Sequence, residues 1–173
     1  MWGIRRGNQA GHASSATVGK QTIYRWWPTR AALVLDALER EIKSGHPAPA
    51  TGSTYHDLRT QMRRVATVFA SPTGSMIREM IAESLADDDV AEQFRTRFFA
   101  ERLKRGMPTL EAGVAQGDLR ADLDLEIVSE MLYAPLWLRL IIRHQPLTPA
   151  VADRILTYAW PIISTESGEA TEA

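Results

Sequence analysis

The sequence predicts an all-α fold. Apolar residues recur at helical spacing along most of the chain, and no segment alternates with the period of a β-strand. Proline, glycine and aspartate residues divide the chain into segments of helix length. The 173 residues are 45% hydrophobic and 24% charged, which is typical of a globular protein. Cysteine is absent, which excludes disulfides and thiolate metal sites.

The first 43 residues divide into a polar segment and two predicted helices. Residues 1–16 are rich in Gly, Ser, Ala and Asn without apolar periodicity, so we expect them to be flexible. A short helix is predicted at about 19–27, and Pro28 ends it because proline lacks the N–H and disfavours helix in the preceding residue. Thr29 is suited to cap the next helix, which extends to about Lys43 before a Pro/Gly-rich linker.

Beyond the linker, residues 54–163 are predicted to form a helical domain. Two apolar stripes precede the acidic run Asp87–Asp89, whose carboxylates suit the beginning of another helix through its dipole. Pro108 should bend that helix or divide it in two. Residues 117–120 are predicted to form a turn.

Two further helices complete the predicted domain. One extends from about residue 124 to 143. The other extends from about 149 to 163, with Thr148 at its N-cap and Pro149 at its first position. Residues 164–173, rich in Ser, Glu and Ala, are predicted to be a disordered tail.

Charge is distributed unevenly along the chain. Before Asp36 every charged residue is basic, whereas the remainder carries 15 basic and 21 acidic groups. The residues before Asp36, here called the head, carry only basic charge while the remainder is acidic, which indicates that the head binds a polyanion. The basic residues of the head are Arg5, Arg6, Lys20, Arg25 and Arg30.

Residues 18–33 contain a specific pattern. A small residue and a few variable positions precede an apolar–Tyr pair, an aromatic pair, and a basic residue that opens the next helix. In type, spacing and the downstream apolar pattern, this segment resembles the recognition helix of TetR-family repressors and the beginning of the helix behind it. The residues that carry the match are Thr22–Tyr24, Trp26–Trp27 and Arg30.

The resemblance implies that this short helix enters the major groove of a double-stranded DNA operator. Lys20 would donate to guanine, Gln21 would pair with adenine, and the Thr22 methyl would contact thymine. The aromatic tips and the basic residue that follows them would contact backbone phosphates. The candidate DNA-binding residues are Lys20, Gln21, Thr22, Tyr24, Arg25, Trp26 and Arg30.

The family's DNA-binding domain has two helices before the recognition helix. Residues 1–18 are too few for both, and their glycines and serines oppose a packed helix. We therefore interpret residues 1–43 as a truncated or degenerate helix-turn-helix region and expect weak DNA binding or none. Either the protein begins upstream of residue 1 or it has lost operator binding, and the sequence leaves both open.

The resemblance also implies a homodimer whose last two helices pair with their copies. The helix at 131–142 is apolar nearly all round, so it must be covered on more than one side. A symmetric partner would cover one side, and the alternative is a single central core helix. The predicted interface residues are Leu132, Leu136, Leu140, Ile155, Tyr158 and Ile162.

A small-molecule effector pocket is expected between the helices after the linker and the helix that contains Pro135. Methionine and aromatic side chains suit adaptable apolar cavities. The candidate pocket residues are Met62, Phe69, Met76, Met80, Phe94, Phe98 and Trp137.

Other classes of function have little support. No histidine stands at metal-ligand spacing from another, and the chain has no Gly-rich phosphate loop and no nucleophile elbow. We expect no metal, no cofactor and no enzymatic activity. No apolar stretch is long enough to cross a membrane and no signal peptide is evident, so a cytoplasmic protein is expected.

These features predict a ligand-responsive TetR-type regulator, a repressor that binds DNA as a homodimer and is released by an effector. One alternative is a dimeric small-molecule-binding protein of TetR descent that has lost DNA binding. A more distant one is a helical enzyme, which would need a polar catalytic cluster inside the pocket.

Overall fold

The computed structural model describes residues 29–44 and 49–165. These residues form helices with no β-strand among them, which confirms the predicted all-α class. The elements are α1 (Arg30–Ser44), α2 (Thr54–Ala70), α3 (Pro72–Ser84), α4 (Asp88–Gln93), a π-helical segment (Phe94–Phe99), α5 (Ala100–Gln116), α6 (Leu125–Ile142) and α7 (Pro149–Ile163).

Helix α2 lies at the centre of the fold and contacts α3, α5, α6 and α7. Helix α1 packs on α3 and on the π-helical segment, and it contributes Ala31, Leu35 and Leu38 to the same core as the later helices. Because this core is continuous, a movement of α3 or of the π-helical segment would also displace α1. The largest fully buried residues outside α1 include Phe69, Phe98, Leu58, Met62, Ile77, Met80, Leu110, Leu132 and Leu136.

The helix beginnings follow the capping chemistry of the sequence. The Thr29 hydroxyl accepts a hydrogen bond from the Ala32 amide at 3.1 Å, and the Asp87 carboxylate accepts from two amides of α4. These two predicted beginnings are confirmed. Thr148 stands at the N-cap position of α7 and Pro149 opens the helix, as predicted, although the Thr148 side chain makes no capping hydrogen bond.

The break in the regular helix that was predicted at Pro108 occurs upstream of it. Helix α5 continues through Pro108 without a break, whereas the π-helical segment at Phe94–Phe99 interrupts the regular helix upstream. Because proline has no N–H, the carbonyl one helical turn before Pro108 receives no backbone hydrogen bond. Pro108 is exposed, so water can solvate that carbonyl. The prediction that this proline divides the helix is therefore wrong.

The end of the linker is fixed by carboxylates. Buried Asp57 accepts hydrogen bonds from the Thr51 amide at 3.0 Å and from the Thr51 hydroxyl at 2.8 Å. Asp118, from the turn after α5, accepts from the Thr54 amide at 3.0 Å, and this bond lowers the pKa of Asp118. The first residues of α2 are thus attached both to the linker and to the rest of the body.

The residues after α7 continue the fold. Ser164 is buried and forms an isolated antiparallel bridge with Leu119, and the Thr165 amide donates to the Asp118 carbonyl at 3.0 Å. The sequence places both residues in a disordered tail. They are instead held by the loop that begins at Gly117, a residue with a φ of 82° that favours glycine. Residues 166–173 lie outside the described residues.

Candidate functional site

A cavity of about 1850 Å³ lies among α2, α5 and α6. Its buried lining residues come from other elements as well and include Leu38 of α1, Ile77 of α3 and Phe98 of the π-helical segment. Exposed residues of α6, such as Glu130 and Leu138, line it at the surface. The cavity therefore extends from the protein surface to the part of the core that α1 shares.

The cavity is large enough for a small organic molecule. Typical ligand sites measure about 300–1,000 Å³ and combine apolar walls with a few polar groups. The wall here is mainly apolar, and its polar groups include five arginines, two glutamates, a tyrosine and a glutamine. The apolar wall includes Val65, Val68, Ile77, Phe98, Phe99 and Trp137.

Arg102 of α5 reaches into an aromatic part of this wall. Its guanidinium carbon lies 5.3 Å from the ring centroid of Phe69, 5.7 Å from that of Phe98 and 5.9 Å from that of Trp137. These distances are those of cation–π contacts. Desolvation by the surrounding side chains lowers the pKa of Arg102, while nearby Tyr133 opposes that shift. An arginine nevertheless keeps its charge at neutral pH.

A chain of hydrogen bonds follows the same wall. The Tyr133 hydroxyl donates to Gln61 Oε1 at 3.4 Å, and Gln61 Nε2 donates to the Thr109 hydroxyl at 2.5 Å. Burial raises the pKa of Tyr133 to about 12, against the opposing effect of Arg102. At neutral pH the phenol is therefore a neutral hydroxyl that can donate or accept.

Two further arginines of the cavity are engaged with α7. Arg59 Nε lies 2.9 Å from Asp153 Oδ1, and Arg63 Nη1 lies 3.4 Å from Asp153 Oδ2. The hydrogen bond to Asp153 raises the pKa of Arg59. These partly exposed pairs contribute little to stability. They fix the side of α2 that faces α7.

The predicted pocket residues fall into two groups. Phe98 and Trp137 line the cavity. Phe69 lies behind this wall, with its ring centroid 4.7 Å from that of Trp137, and Phe94 stacks on Phe98 at 5.1 Å. Like Phe69 and Phe94, the three predicted methionines are absent from the lining: Met62 and Met80 are fully buried in the core, and Met76 packs against it.

Sequence reasoning missed Arg102, Tyr133 and Gln61. Methionines and aromatic residues dominated the prediction because apolar residues are the commonest lining of a ligand site. The available signal was a long polar side chain on the inner face of a helix. Arg102 stands one helical turn after Phe98 and therefore shares its face.

Six of the predicted DNA-binding residues lie outside the described residues, namely Lys20, Gln21, Thr22, Tyr24, Arg25 and Trp26. The seventh, Arg30, begins α1. Its side chain is largely exposed and forms an ion pair with Glu79 of α3. Such an exposed pair is weak and leaves the guanidinium accessible.

Residues 48–159 match the family model described as "Tetracyclin repressor-like, C-terminal domain". The chain belongs to the TetR family. The matched region begins in the linker after α1 and ends in α7, so it contains the helices that form the cavity.

Relatives in the TetR family carry regulator names. The chain is 37% identical over 130 residues to the uncharacterized HTH-type transcriptional regulator YdeS of Bacillus subtilis, covering 75% of this chain and 66% of that protein. It is 28% identical over 116 residues to the HTH-type transcriptional regulator AqdR of Rhodococcus erythropolis, covering 67% and 56%. The match thus spans less than two thirds of either relative, and both are named as transcriptional regulators rather than enzymes.

A solved structure supports the TetR-like fold. A TetR transcriptional regulator from Agrobacterium tumefaciens superposes with a TM-score of 0.65 at 18% identity, covering 86% of this chain and 80% of that one. At this identity the likeness concerns the fold. It confirms the arrangement of helices expected for a TetR-family chain.

Helices α6 and α7 of this TetR-family chain expose a set of large apolar side chains, here called the α6–α7 apolar face. Tyr158 is 75% exposed and Ile162 is 56% exposed, so these two predicted interface residues are accessible to a partner. Burial of such side chains is the main driving force for association. The face consists of Ile127, Met131, Leu138, Ile141 and Ile142 of α6 with Tyr158 and Ile162 of α7.

Three other predicted interface residues belong to the core of the protomer. Leu132, Leu136 and Leu140 are at most 1% exposed, and their spacing places them on the single face of α6 that turns inward. The prediction for these three residues is corrected: they cannot contact a partner. Ile155 of α7 is half-buried against the same core.

Two other features are absent from the described residues. No group of three or more His, Asp and Glu side chains there is arranged to hold a metal ion. None of the helices in that part of the chain combines the length and the apolar content that a membrane span requires.

Proposed function

We propose that this chain is a homodimeric transcriptional regulator of the TetR type, a repressor that an effector in the cavity releases from DNA. The observation that carries the proposal is the position of Leu38, which lines the cavity and belongs to α1. Helix α1 directly follows the segment that resembles a recognition helix. An occupant of the cavity would therefore contact the helix that continues from the DNA-reading element.

The π-helical segment provides a second connection between the cavity and α1. Phe98 and Phe99 line the cavity, and the preceding Arg97 contacts Glu39 of α1 with an Nε–Oε1 distance of 2.5 Å. A movement of the two rings would therefore displace α1 through the contact between Arg97 and Glu39. An effector acts only through its different affinity for the DNA-bound and released conformations, and these contacts supply a physical basis for such a difference.

The α6–α7 apolar face supports a homodimer. Its large side chains are exposed on two helices that contact each other, and an exposed apolar surface on a protein often marks an interaction site. In a two-fold assembly, the recognition elements would have to lie about 34 Å apart to enter successive major grooves. A ligand-induced shift of a few ångströms, on the order of a tenth of that spacing, would disturb the match.

The second candidate function is that of a dimeric small-molecule-binding protein of TetR descent without DNA binding. It is supported by the location of the cavity, whose lining among the described residues runs from Leu38 to Pro149 and leaves out Arg30, the predicted DNA-contacting residue that the structure describes. Both candidates share the ligand site. They differ in whether the chain binds DNA.

The test is a gel-shift on double-stranded DNA from the gene's own promoter region. It is carried out with the chain of this sequence and, where the reading frame continues upstream, with the longer chain. We expect the longer chain to bind in a salt-sensitive manner, because lysine and arginine side chains displace counterions from the phosphates. The paired substitution Lys20→Ala and Gln21→Ala should weaken binding about tenfold or more.

The matched control is Lys104→Ala, which removes an exposed lysine on α5. This variant should bind DNA as the parent chain does. Failure of every chain to shift promoter DNA would contradict the repressor proposal and favour the second candidate. Equal losses in the Lys104 variant and in the paired variant would contradict the assignment of residues 19–27 to the major groove.

A further inference from the structure

Arg102 lacks an anionic partner within the part of the chain that the structure describes. No carboxylate there lies within ion-pair distance of its guanidinium, which is surrounded by the rings of Phe69, Phe98 and Trp137. Aromatic faces stabilise the charge but accept no directed hydrogen bond from its N–H edge. The capacity of this arginine for bidentate hydrogen bonding is therefore unused.

The nitrogens of Arg102 remain accessible from the cavity. The residue lines the cavity, and none of the buried side-chain nitrogens and oxygens in the described residues lacks a hydrogen-bond partner. Since Arg102 makes no hydrogen bond within the described part of the chain, its N–H edge is not enclosed by that part and faces the cavity that the residue lines. A desolvated cation that faces a cavity is a recognition element for an anion.

The charges around the cavity also favour an anion. Five arginines line it, whereas the acidic lining residues are Glu126 and Glu130, both exposed on α6. Arg59 and Arg63 are neutralised in part by Asp153, but Arg102 has no such partner among the described residues. A net positive lining raises the local concentration of negatively charged solutes.

We propose that the cavity binds a small organic acid, whose anionic group pairs with the Arg102 guanidinium and whose apolar body lies against Phe98 and Trp137. A carboxylate matches the planar fork of arginine and can accept two parallel hydrogen bonds. The neutral Tyr133 hydroxyl on the same wall donates to Gln61, and its oxygen can accept a hydrogen bond from a donor on the body of the ligand. The apolar wall favours a ligand whose remaining part is apolar, because the side chains of the wall bury surface without offering hydrogen bonds.

This inference deepens the proposed effector response and rests on it for its biological meaning, but ligand class can be tested without DNA. The probes are 1-anilinonaphthalene-8-sulfonate, which is anionic, and N-phenyl-1-naphthylamine, which has the same rings without the charge. Their fluorescence is titrated with the wild-type chain, Arg102→Met and Arg102→Lys. Octanoate and 1-octanol are then used to displace the bound sulfonate probe.

We expect Arg102→Met to weaken binding of the anionic probe about tenfold or more and to change binding of the neutral probe less than about threefold. Arg102→Lys should give an intermediate loss, since it keeps the charge but not the fork. Displacement by octanoate should depend on Arg102, whereas displacement by 1-octanol should not.

Lys104→Met is the matched control, because Lys104 is an exposed cation on the same helix and does not line the cavity. It should change binding of the anionic probe by about twofold at most. Retained binding of the neutral probe and an unchanged melting temperature show that the Arg102 variants fold. Equal binding of the anionic probe by wild type and Arg102→Met, or equal losses for both probes, would overturn the inference. A failed gel-shift would leave this comparison intact, so the two proposals fail separately.

Discussion

Tyr133 shows how one buried group acquires a pH dependence. Its hydroxyl is removed from water beside Arg102 and Gln61, and burial raises its pKa from 10.0 to about 12. The phenolate is disfavoured in the folded state because a buried charge loses its hydration. The group thus binds its proton more tightly in the folded chain than in the unfolded chain.

The sign of the stability effect follows from that difference. A raised pKa in the folded state contributes stability that is present below pH 10 and lost as pH rises toward 12. We expect the difference in phenolate absorbance between wild type and Tyr133→Phe to titrate with a midpoint near 12. Urea unfolding over the same pH window should show a smaller loss of stability in Tyr133→Phe. A midpoint near 10 would contradict the buried position of this hydroxyl.

Gly74 in the first turn of α3 illustrates how two elements constrain one residue. A Cβ at this position would lie 2.0 Å from the carbonyl oxygen of Phe69, which is the backbone of α2 and cannot rotate away. The short turn between α2 and α3 therefore requires glycine. In contrast, a Cβ at Gly106 of α5 would meet nothing within 4 Å.

These two glycines form a matched pair of substitutions. Gly74→Ala should destabilise the fold by about 1–3 kcal/mol, because the backbone must shift to relieve the overlap. Gly106→Ala should stabilise it by about 0.5–1 kcal/mol, because alanine loses less conformational freedom in a helix. The measurement is urea unfolding at one protein concentration, since association would shift the midpoint. Equal effects of the two substitutions would contradict the described approach of α2 and α3.

The sequence predicted elements best where a single residue decides the outcome. Thr29 and Asp87 cap helices through their own backbone, so their role depends on neighbours in sequence. The π-helical segment at Phe94–Phe99 was not predictable, since it depends on how α4 and α5 each pack against the core. The inward face of α6 was also hidden, because nearly every position around that helix is apolar.

The candidate site was predictable only in part for a related reason. Phe98 and Trp137 are bulky and apolar, and they were expected at a cavity wall. An arginine on a helix is usually solvated, so the position of Arg102 one helical turn after Phe98 was too weak a signal to predict its burial. Its role emerges only when Phe69, from a helix distant in sequence, is placed beside it.

At the scale of the whole molecule, the α6–α7 apolar face predicts self-association. The substitutions Ile142→Glu and Ile162→Glu together place charges on residues that are 61% and 56% exposed. Burying an unpaired carboxylate in an interface is costly, so the variant should be a monomer where the parent chain is a dimer. Light scattering on a size-exclusion column measures the mass, which should fall to the 19.3 kDa of one chain.

Leu85→Glu is the control for this experiment. Leu85 is 85% exposed but follows α3 and lies outside the α6–α7 apolar face. This variant should keep the mass of the parent chain. Dissociation by both variants would indicate a different interface, and a monomeric parent chain would contradict the proposed homodimer.

The π-helical segment has a consequence for how this protein can diverge. A π turn holds one residue more than the α turn that it replaces, so the loss of a single codon would restore a regular helix. Each residue of an α-helix rotates the chain by about 100°. Such a deletion within residues 94–97, none of which lines the cavity, would therefore turn α4 around the axis of α5. Descendants of one ancestral gene would then acquire differently shaped cavities through a change of length, with every lining residue retained.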